Sequence, residues 1–435
     1  MRTRAALAEC YRPGAHRLAA PGLLVALVAC NSPTTDASAV GTIAYLAPGT
    51  GSVHVRDLAT GADTVLDDGA FAGLALAPDA QHVAYRGDDE TLKIADRTGR
   101  VMAMLGGGGC AGPARWVSPS ALLYCTSAGT LILSALDATP RIVPGAVSIS
   151  PDATTDAYIA GNGDLIVEDL AGISPRVLVP SPDPTRVVPG ERTAGFTPDG
   201  RAVLVAAFAA VPNTLHVVQL ASAASVDVVG VSSLGTSFGM PVFQGASAFS
   251  PDSSELLMQT STALVAVTLA TGAQRTIAAY PAHVRSGGAV FLDATHVLWV
   301  ADDDESDGDI GRFYLSLHVA GPGATDDITL DDPRAENQGW NSIAVATGGV
   351  IAVPSDVLLV DPTGATVLAN DTRSDATNVT DFLGVSPRGD VLGITASGDL
   401  RLLGADGANA DLFPVAHGPN TAGGPAAAYY APPPS

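Results

Sequence analysis

The sequence predicts an all-β fold, a β-propeller of four-stranded blades, from three observations. First, a proline-anchored unit recurs: Pro78-Asp79, Pro151-Asp152 and Pro251-Asp252 are each followed 21 residues later by a glycine, Gly99, Gly172 and Gly272, and Pro387 precedes Gly407 by 20. A fixed period of about 40 residues marks repeat architectures such as propellers. Second, each unit carries short apolar runs bounded by Gly, Pro, Asp or Ser, the signature of strands. Third, 47% of the residues are hydrophobic, yet they fall in these short runs, as blades packed face to face require.

The unit reads the same way each time. Leu74-Ala75-Leu76-Ala77 ends in the turn Pro78-Asp79, where Pro pre-sets φ and the Asp side chain can bond the backbone beyond it. His82 to Tyr85 is a second run, Thr91 to Ile94 a third, closed by the turn Asp96-Arg97-Thr98-Gly99, and Arg100 to Leu105 a fourth. Four strands with tight turns make one blade. Other units are worn. Pro119 to the turn at Asp137-Ala138 is shorter, and Pro198-Asp199-Gly200 carries an insertion before Gln219-Leu220-Ala221-Ser222. Phe291 to His296 has lost the proline, and Ser342 to Ala346 has lost both Pro and Asp.

Eight complete units are legible, with a ninth at the start that has Thr42 to Leu46, Ser52 to Gly61 and Asp63 to Leu66 but no innermost strand ahead of them. Gly424 to Pro432 is similar to the blade opening Gly112 to Pro119 and can supply that strand from the far end of the chain. Propellers typically have four to eight blades, so the expectation stays at seven to nine.

Ser-Pro-Asp after the innermost strand and Asp57-Leu58-Ala59-Thr60-Gly61 at the end of the third resemble the TolB-like, WD-like propeller repeat over residues 40 to about 432. The resemblance implies a protein-binding scaffold, often outside the bacterial cytoplasm. The chain departs from TolB itself in having more blades and no separate N-terminal α/β domain.

Residues 1–29 read as a signal peptide and 30–39 as a polar tether, ahead of a single propeller over 40–432. Arg2, Arg4, Arg12 and Arg17 form a basic region, and Leu18 to Val28 is an apolar stretch of 11 residues, too short to span a bilayer. Leu27-Val28-Ala29-Cys30 matches the bacterial lipoprotein box, in which Cys30 becomes the lipidated first residue of the mature chain. Asn31 after it resembles an outer-membrane sorting signal. No stretch of 18 apolar residues follows, so the expected membrane contact is the lipid anchor alone.

Without residues 1–29 the chain keeps 18 basic and 43 acidic residues, a net charge of −25. That weighs against nucleic acid and anionic lipid surfaces as partners. Of four cysteines, Cys10 leaves with the signal and Cys30 takes the lipid, leaving Cys110 and Cys125. An even pair in an exported chain, flanking one hairpin around Ser118-Pro119, is expected to form a disulfide. The alternative is two small free core residues.

Catalytic signals are sparse. Gly235-Thr236-Ser237-Phe238-Gly239 has the G-x-S-x-G spacing, but a nucleophile elbow needs a helix next and Met240-Pro241 forbids one. His82 and His296 occupy equivalent places in their units, as do His54 and His216, so they point to separate blades and read as structural. Asp303, Glu305, Asp307 and Gly308 follow the D-x-D-x-D-G spacing of a calcium loop, whose alternate carboxylates converge on one Ca2+. Tyr314 stands where the bidentate Glu belongs, which favours a solvated acidic loop. Only three tryptophans, Trp116, Trp299 and Trp340, are present, against a resemblance to quinoprotein dehydrogenases with their recurrent Trp motif.

The expected function is therefore a monomeric, non-enzymatic binding scaffold for an envelope protein, peptide or glycan. The alternative is a propeller hydrolase or lyase that uses the central channel. Binding is expected where each blade's innermost strand begins, because connections there reach the channel mouth and binding residues collect on loops of a rigid scaffold. Those connections hold Arg115, Arg192, His283, Arg285, Trp340 and Asn341.

Overall fold

The computed structural model describes residues 41–69, 71–87, 91–106, 114–145, 147–179, 192–207, 214–231, 248–279, 284–303, 314–321, 328–330, 342–346, 349–353, 357–361, 364–369, 379–385, 390–395, 397–403, 409–416 and 427–430. All of these belong to the second of two compact units, which starts at Ser38. Among the described residues every named element is a strand.

The strands form nine antiparallel sheets among the described residues, eight of them built from consecutive segments of chain. Blade 1 holds β1 (Thr42–Leu46), β2 (Val53–Asp57) and β3 (Asp63–Asp67); blade 2 holds β4 (Phe71–Leu76), β5 (His82–Gly87), β6 (Leu92–Asp96) and β7 (Val101–Leu105). Blade 3 holds β8 (Arg115–Trp116), β9 (Leu122–Thr126), β10 (Gly129–Leu133) and β11 (Arg141–Val143). Blade 4 holds β12 (Val147–Ile149), β13 (Thr155–Ile159), β14 (Leu165–Asp169) and β15 (Arg176–Val179). Blade 5 holds β16 (Arg192–Phe196), β17 (Ala202–Ala207), β18 (Thr214–Gln219) and β19 (Ser225–Val229). Blade 6 has β20 (Glu255–Gln259), β21 (Ala263–Thr268) and β22 (Gln274–Ala279), with Phe249 bridged to Leu256 where a first strand would lie. Blade 7 holds β23 (Val284–Phe291), β24 (Val297–Asp303), β25 (Tyr314–Ala320) and β26 (Ile328–Leu330). Blade 8 holds β27 (Ser342–Ala346), β28 (Gly349–Val353), β29 (Val357–Asp361) and β30 (Gly364–Ala369). Blade 9 holds β31 (Val379–Val385), β32 (Val391–Thr395), β33 (Asp399–Leu403) and β34 (Asn409–Pro414).

The last strand, β35 (Ala427–Tyr430), lies beside β1, with Thr42 opposite Tyr430 and Tyr45 opposite Ala427. Blade 1 thus runs β3-β2-β1-β35, and its innermost strand comes from the end of the chain.

The apolar core lies between blades. Leu46, Val53 and Leu66 of blade 1 pack on Leu74 and Tyr85 of blade 2. Leu92 and Ile94 of blade 2 meet Trp116, Leu122 and Tyr124 of blade 3, and the Trp116 indole donates to the Ala75 carbonyl at 2.9 Å. Ala157 and Val167 of blade 4 meet Phe196 and Val203 of blade 5, and Leu204 and Leu215 of blade 5 meet Leu256 and Val265 of blade 6. Leu392 and Leu402 of blade 9 meet Ile43, Tyr45 and Ala427 of blade 1. Each side chain of this size removed from water contributes roughly 1.5–3 kcal/mol, so each of these seams is a substantial core in its own right.

The Pro-Asp turns take one shape. Asp252 accepts from the Ser254 amide at 3.0 Å and from the Ser250 hydroxyl at 2.7 Å, and these bonds hold its carboxyl down at about 2. Asp79, Asp152 and Asp199 accept likewise from the amides of Gln81, Thr154 and Arg201. The residue after each Asp is left-handed: Ala80 and Ala153 at φ 56°, Ser253 at 59° and Gly200 at 69°.

Candidate binding face

Arg115 of β8 is exposed and pairs with Leu123, one step from the turn-adjacent pair of Trp116 with Leu122. Arg192 is the first residue of β16, and Arg285 is the second of β23, in register with Asp302. The backbone thus sets Arg192 and Arg285 near the starts of innermost strands in blades 5 and 7, whereas Arg115 holds the register that Gly195 holds in blade 5, closer to the first turn of blade 3. His283, Trp340 and Asn341 lie outside the described residues, as do Cys30 and Ser237.

The acidic run is only partly described. Asp303 ends β24 and is in register with Tyr314 at the start of β25, while Glu305 and Asp307 lie outside the described residues. Among the described residues no group of three or more His, Cys, Asp or Glu gathers as a metal site, and no helix is long and apolar enough to cross a membrane. Cys125 is half-buried in β9 and its sulfur is disulfide-bonded; Cys110 lies outside the described residues.

The histidines bond locally. His216 Nδ1 lies 2.7 Å from Asp227, and His296 Nδ1 lies 2.8 Å from Asp293, three residues away. His54 sits in a longer series. Its Nε2 is 3.1 Å from the Ser52 hydroxyl and its Nδ1 is 3.3 Å from Asp63, whose other oxygen accepts from the Tyr45 hydroxyl at 2.6 Å. Tyr45 stacks on His54, and Phe413 of blade 9 lies against Tyr45 and under the Arg56 guanidinium at 4.5 Å. The series thus lines the seam between the first and last blades. Burial and Asp63 together push the Tyr45 hydroxyl well above its ordinary range.

A second polar cluster spans blades 3 and 4. Arg141 of β11 donates to Asp156 of β13 and to Glu168 of β14. The Asp156 side chain is 0% exposed and that of Glu168 5%. Burial pushes the Asp156 carboxyl up to about 7, with Arg141 pulling the other way and Glu168 adding to the rise. Sequence reasoning missed both clusters. Ser52 lies just before β2, two residues from His54, and Asp156 and Glu168 are cross-strand partners, so for the second cluster the signal was a carboxylate at a core position of a strand.

No family model and no curated protein matches the sequence. Solved structures do. A structure of a eukaryotic initiation factor aligns over 90% of this chain and 98% of its own length, at 11% identity and a TM-score of 0.57. The fold is a β-propeller. Matches also include TolB from Acinetobacter baumannii, at 16% identity over 64% of this chain and 60% of TolB with a TM-score of 0.25. The C-terminal WD40 domain of Sif2 aligns at 13% identity over 63% of this chain and 76% of that domain, with a TM-score of 0.37.

Proposed function

We propose that this chain is an exported, lipid-anchored propeller, a non-enzymatic scaffold that binds a protein, peptide or glycan partner in the cell envelope. Its anchor is Cys30 after removal of residues 1–29, residues 30–39 are the tether, and residues 40–432 form one monomeric propeller in the outer membrane's periplasmic or surface space. A Cys110–Cys125 disulfide ties the first hairpin of blade 3, a reading supported by the bonded state of Cys125.

The observation that carries the binding reading is the exposed Arg115 on the innermost strand of blade 3, with Arg192 and Arg285 near the starts of β16 and β23. An arginine presents a planar fork of donors suited to carboxylates and to polar ligand groups. Three of them on innermost strands, in a mature chain of net −25, would offer cationic contacts on an acidic body. The test is an Arg115→Ala, Arg192→Ala, Arg285→Ala variant with an unchanged melting profile. It should retain at most about a tenth of the wild-type affinity for the partner captured from envelope extract, since truncating a contact arginine costs ≥2 kcal/mol at a hot spot. Equal affinity would remove this face from consideration.

A hydrolase is the second reading, favoured by the Ser52–His54–Asp63 series. Hydrogen-bond order alone matches a nucleophile, base and orienting acid. Ser52 is only 7% exposed and shares its hydroxyl with Thr50 at 2.9 Å, so a substrate carbonyl has poor access, and the scaffold reading stands first.

A further inference from the structure

We propose that Arg141, Asp156 and Glu168 form a proton-operated latch between blades 3 and 4, tight while the trio holds one proton and loosened when that proton leaves. Two carboxylates face one guanidinium. With both ionised, the trio carries a net negative charge in a place where Asp156 is fully buried and Glu168 nearly so. An uncompensated buried charge is costly, and such sites neutralise by taking a proton. The Asp156 Oδ2 accepts from Arg141, while Oδ1 is buried without a hydrogen-bond partner, so Oδ1 is where the proton sits.

The fold itself does not need this pair. Asp156 and Glu168 are cross-strand neighbours in blade 4, and the fifth residue after the turn proline has the same place in other blades. There the pairs are Val83 with Ala95, Val203 with Val218 and Leu256 with Val267, all buried and apolar. Replacing a buried ion cluster by apolar residues is often neutral or stabilising. Blade 4 therefore departs from its siblings at a position where the apolar solution is available within the same chain.

Other titratable groups near Asp156 add to the same balance. Asp169, next along β14, raises its proton affinity further. Tyr158, on β13 itself, is pushed up by burial and by Glu168 and so stays a neutral phenol. From neighbouring elements, β12 brings Val147, Ser148 and Ile149, which do not titrate, and the single charged residue of β16 is Arg192 at its first position. Among the described residues, the one guanidinium donating into the site is Arg141, over which the turn at Gly172 closes.

The sign follows from linkage. A carboxyl raised from its ordinary value to about 7 binds its proton more tightly in the folded chain than in the unfolded one. Its contribution is fully present below the ordinary carboxylate range and is lost as pH rises towards about 7. The seam is thus tightest in mild acid.

The experiment is urea unfolding of the full-length chain in detergent, wild type against Glu168→Gln, from about pH 5 to about pH 8. The glutamine leaves one carboxylate for one guanidinium, so no proton is needed. The ratio of the two folding constants should move against the wild type by up to about tenfold per pH unit and level off above about pH 7. A ratio constant across that range overturns the proposal. Infrared spectroscopy of the wild type keeps the test decisive if the variant does not fold. A protonated-carboxyl carbonyl band should be present near about pH 6 and gone by about pH 9. Histidine titration does not produce such a band, and its absence near pH 6 would equally overturn the latch.

Discussion

The Pro-Asp turn shows how single residues set this fold. The aspartate closes onto the amide two residues on, and this obliges the residue between them to be left-handed, as at Ala153 and Ser253. For a residue with a Cβ that conformation costs roughly 1–2 kcal/mol, partly offset because glycine loses more backbone freedom on folding. The chain uses glycine in only one of these four turns, at Gly200. Ala153→Gly should therefore stabilise the domain by about 0.5–1 kcal/mol, read as a higher urea midpoint at unchanged m-value. These turns were legible in the sequence because proline and aspartate act on their immediate neighbours. The polar clusters were not. Arg141 is 15 residues from Asp156 and 27 from Glu168 and sits in another blade, so their meeting depends on how blades stack.

At the scale of elements, the closing strand matters most. β35 covers β1, and Ala427 is buried with Ile43, Leu392 and Val415 at the seam between blades 9 and 1. Without it, β1 would present an unpaired edge, a template for wrong pairing, and the Tyr45–Phe413 contact would lose its flank. Deleting residues 424–435 should lower the melting temperature of the whole propeller by at least about 4 °C, the shift expected for a loss of some kcal/mol in a chain of this size, rather than add a separate early transition. Calorimetry distinguishes the two. Strand existence was readable wherever a run of branched residues met a turn signal, including the blades that had lost proline or aspartate, β23 and β27. Phase along the strand was less readable. Outermost strands expose Val65, Met104, Ile142 and Val177, apolar residues that look like core in the sequence because composition does not tell an outer edge from a seam.

For the whole molecule, repeat spacing carried the architecture, and the chain's function reading depends on where that architecture is held. Cys30→Ser should move the protein from the membrane to the soluble fraction with its leader unprocessed at Cys30; continued sedimentation with membranes at the processed mass would contradict lipidation. A net charge of −25 on the mature chain steers cationic groups towards most of its surface. A partner held at the arginines proposed on the innermost strands would instead approach the inner side of the blades. The most direct measurement is site-specific photocrosslinking in living cells, with the photoreactive residue at Arg115 in one variant and at Met104, exposed on the outermost strand of blade 2, in another. The account predicts a discrete partner adduct from position 115 and none from position 104. Adducts from 104 alone, or no adduct from 115 in a variant that is folded and membrane-bound, would contradict it.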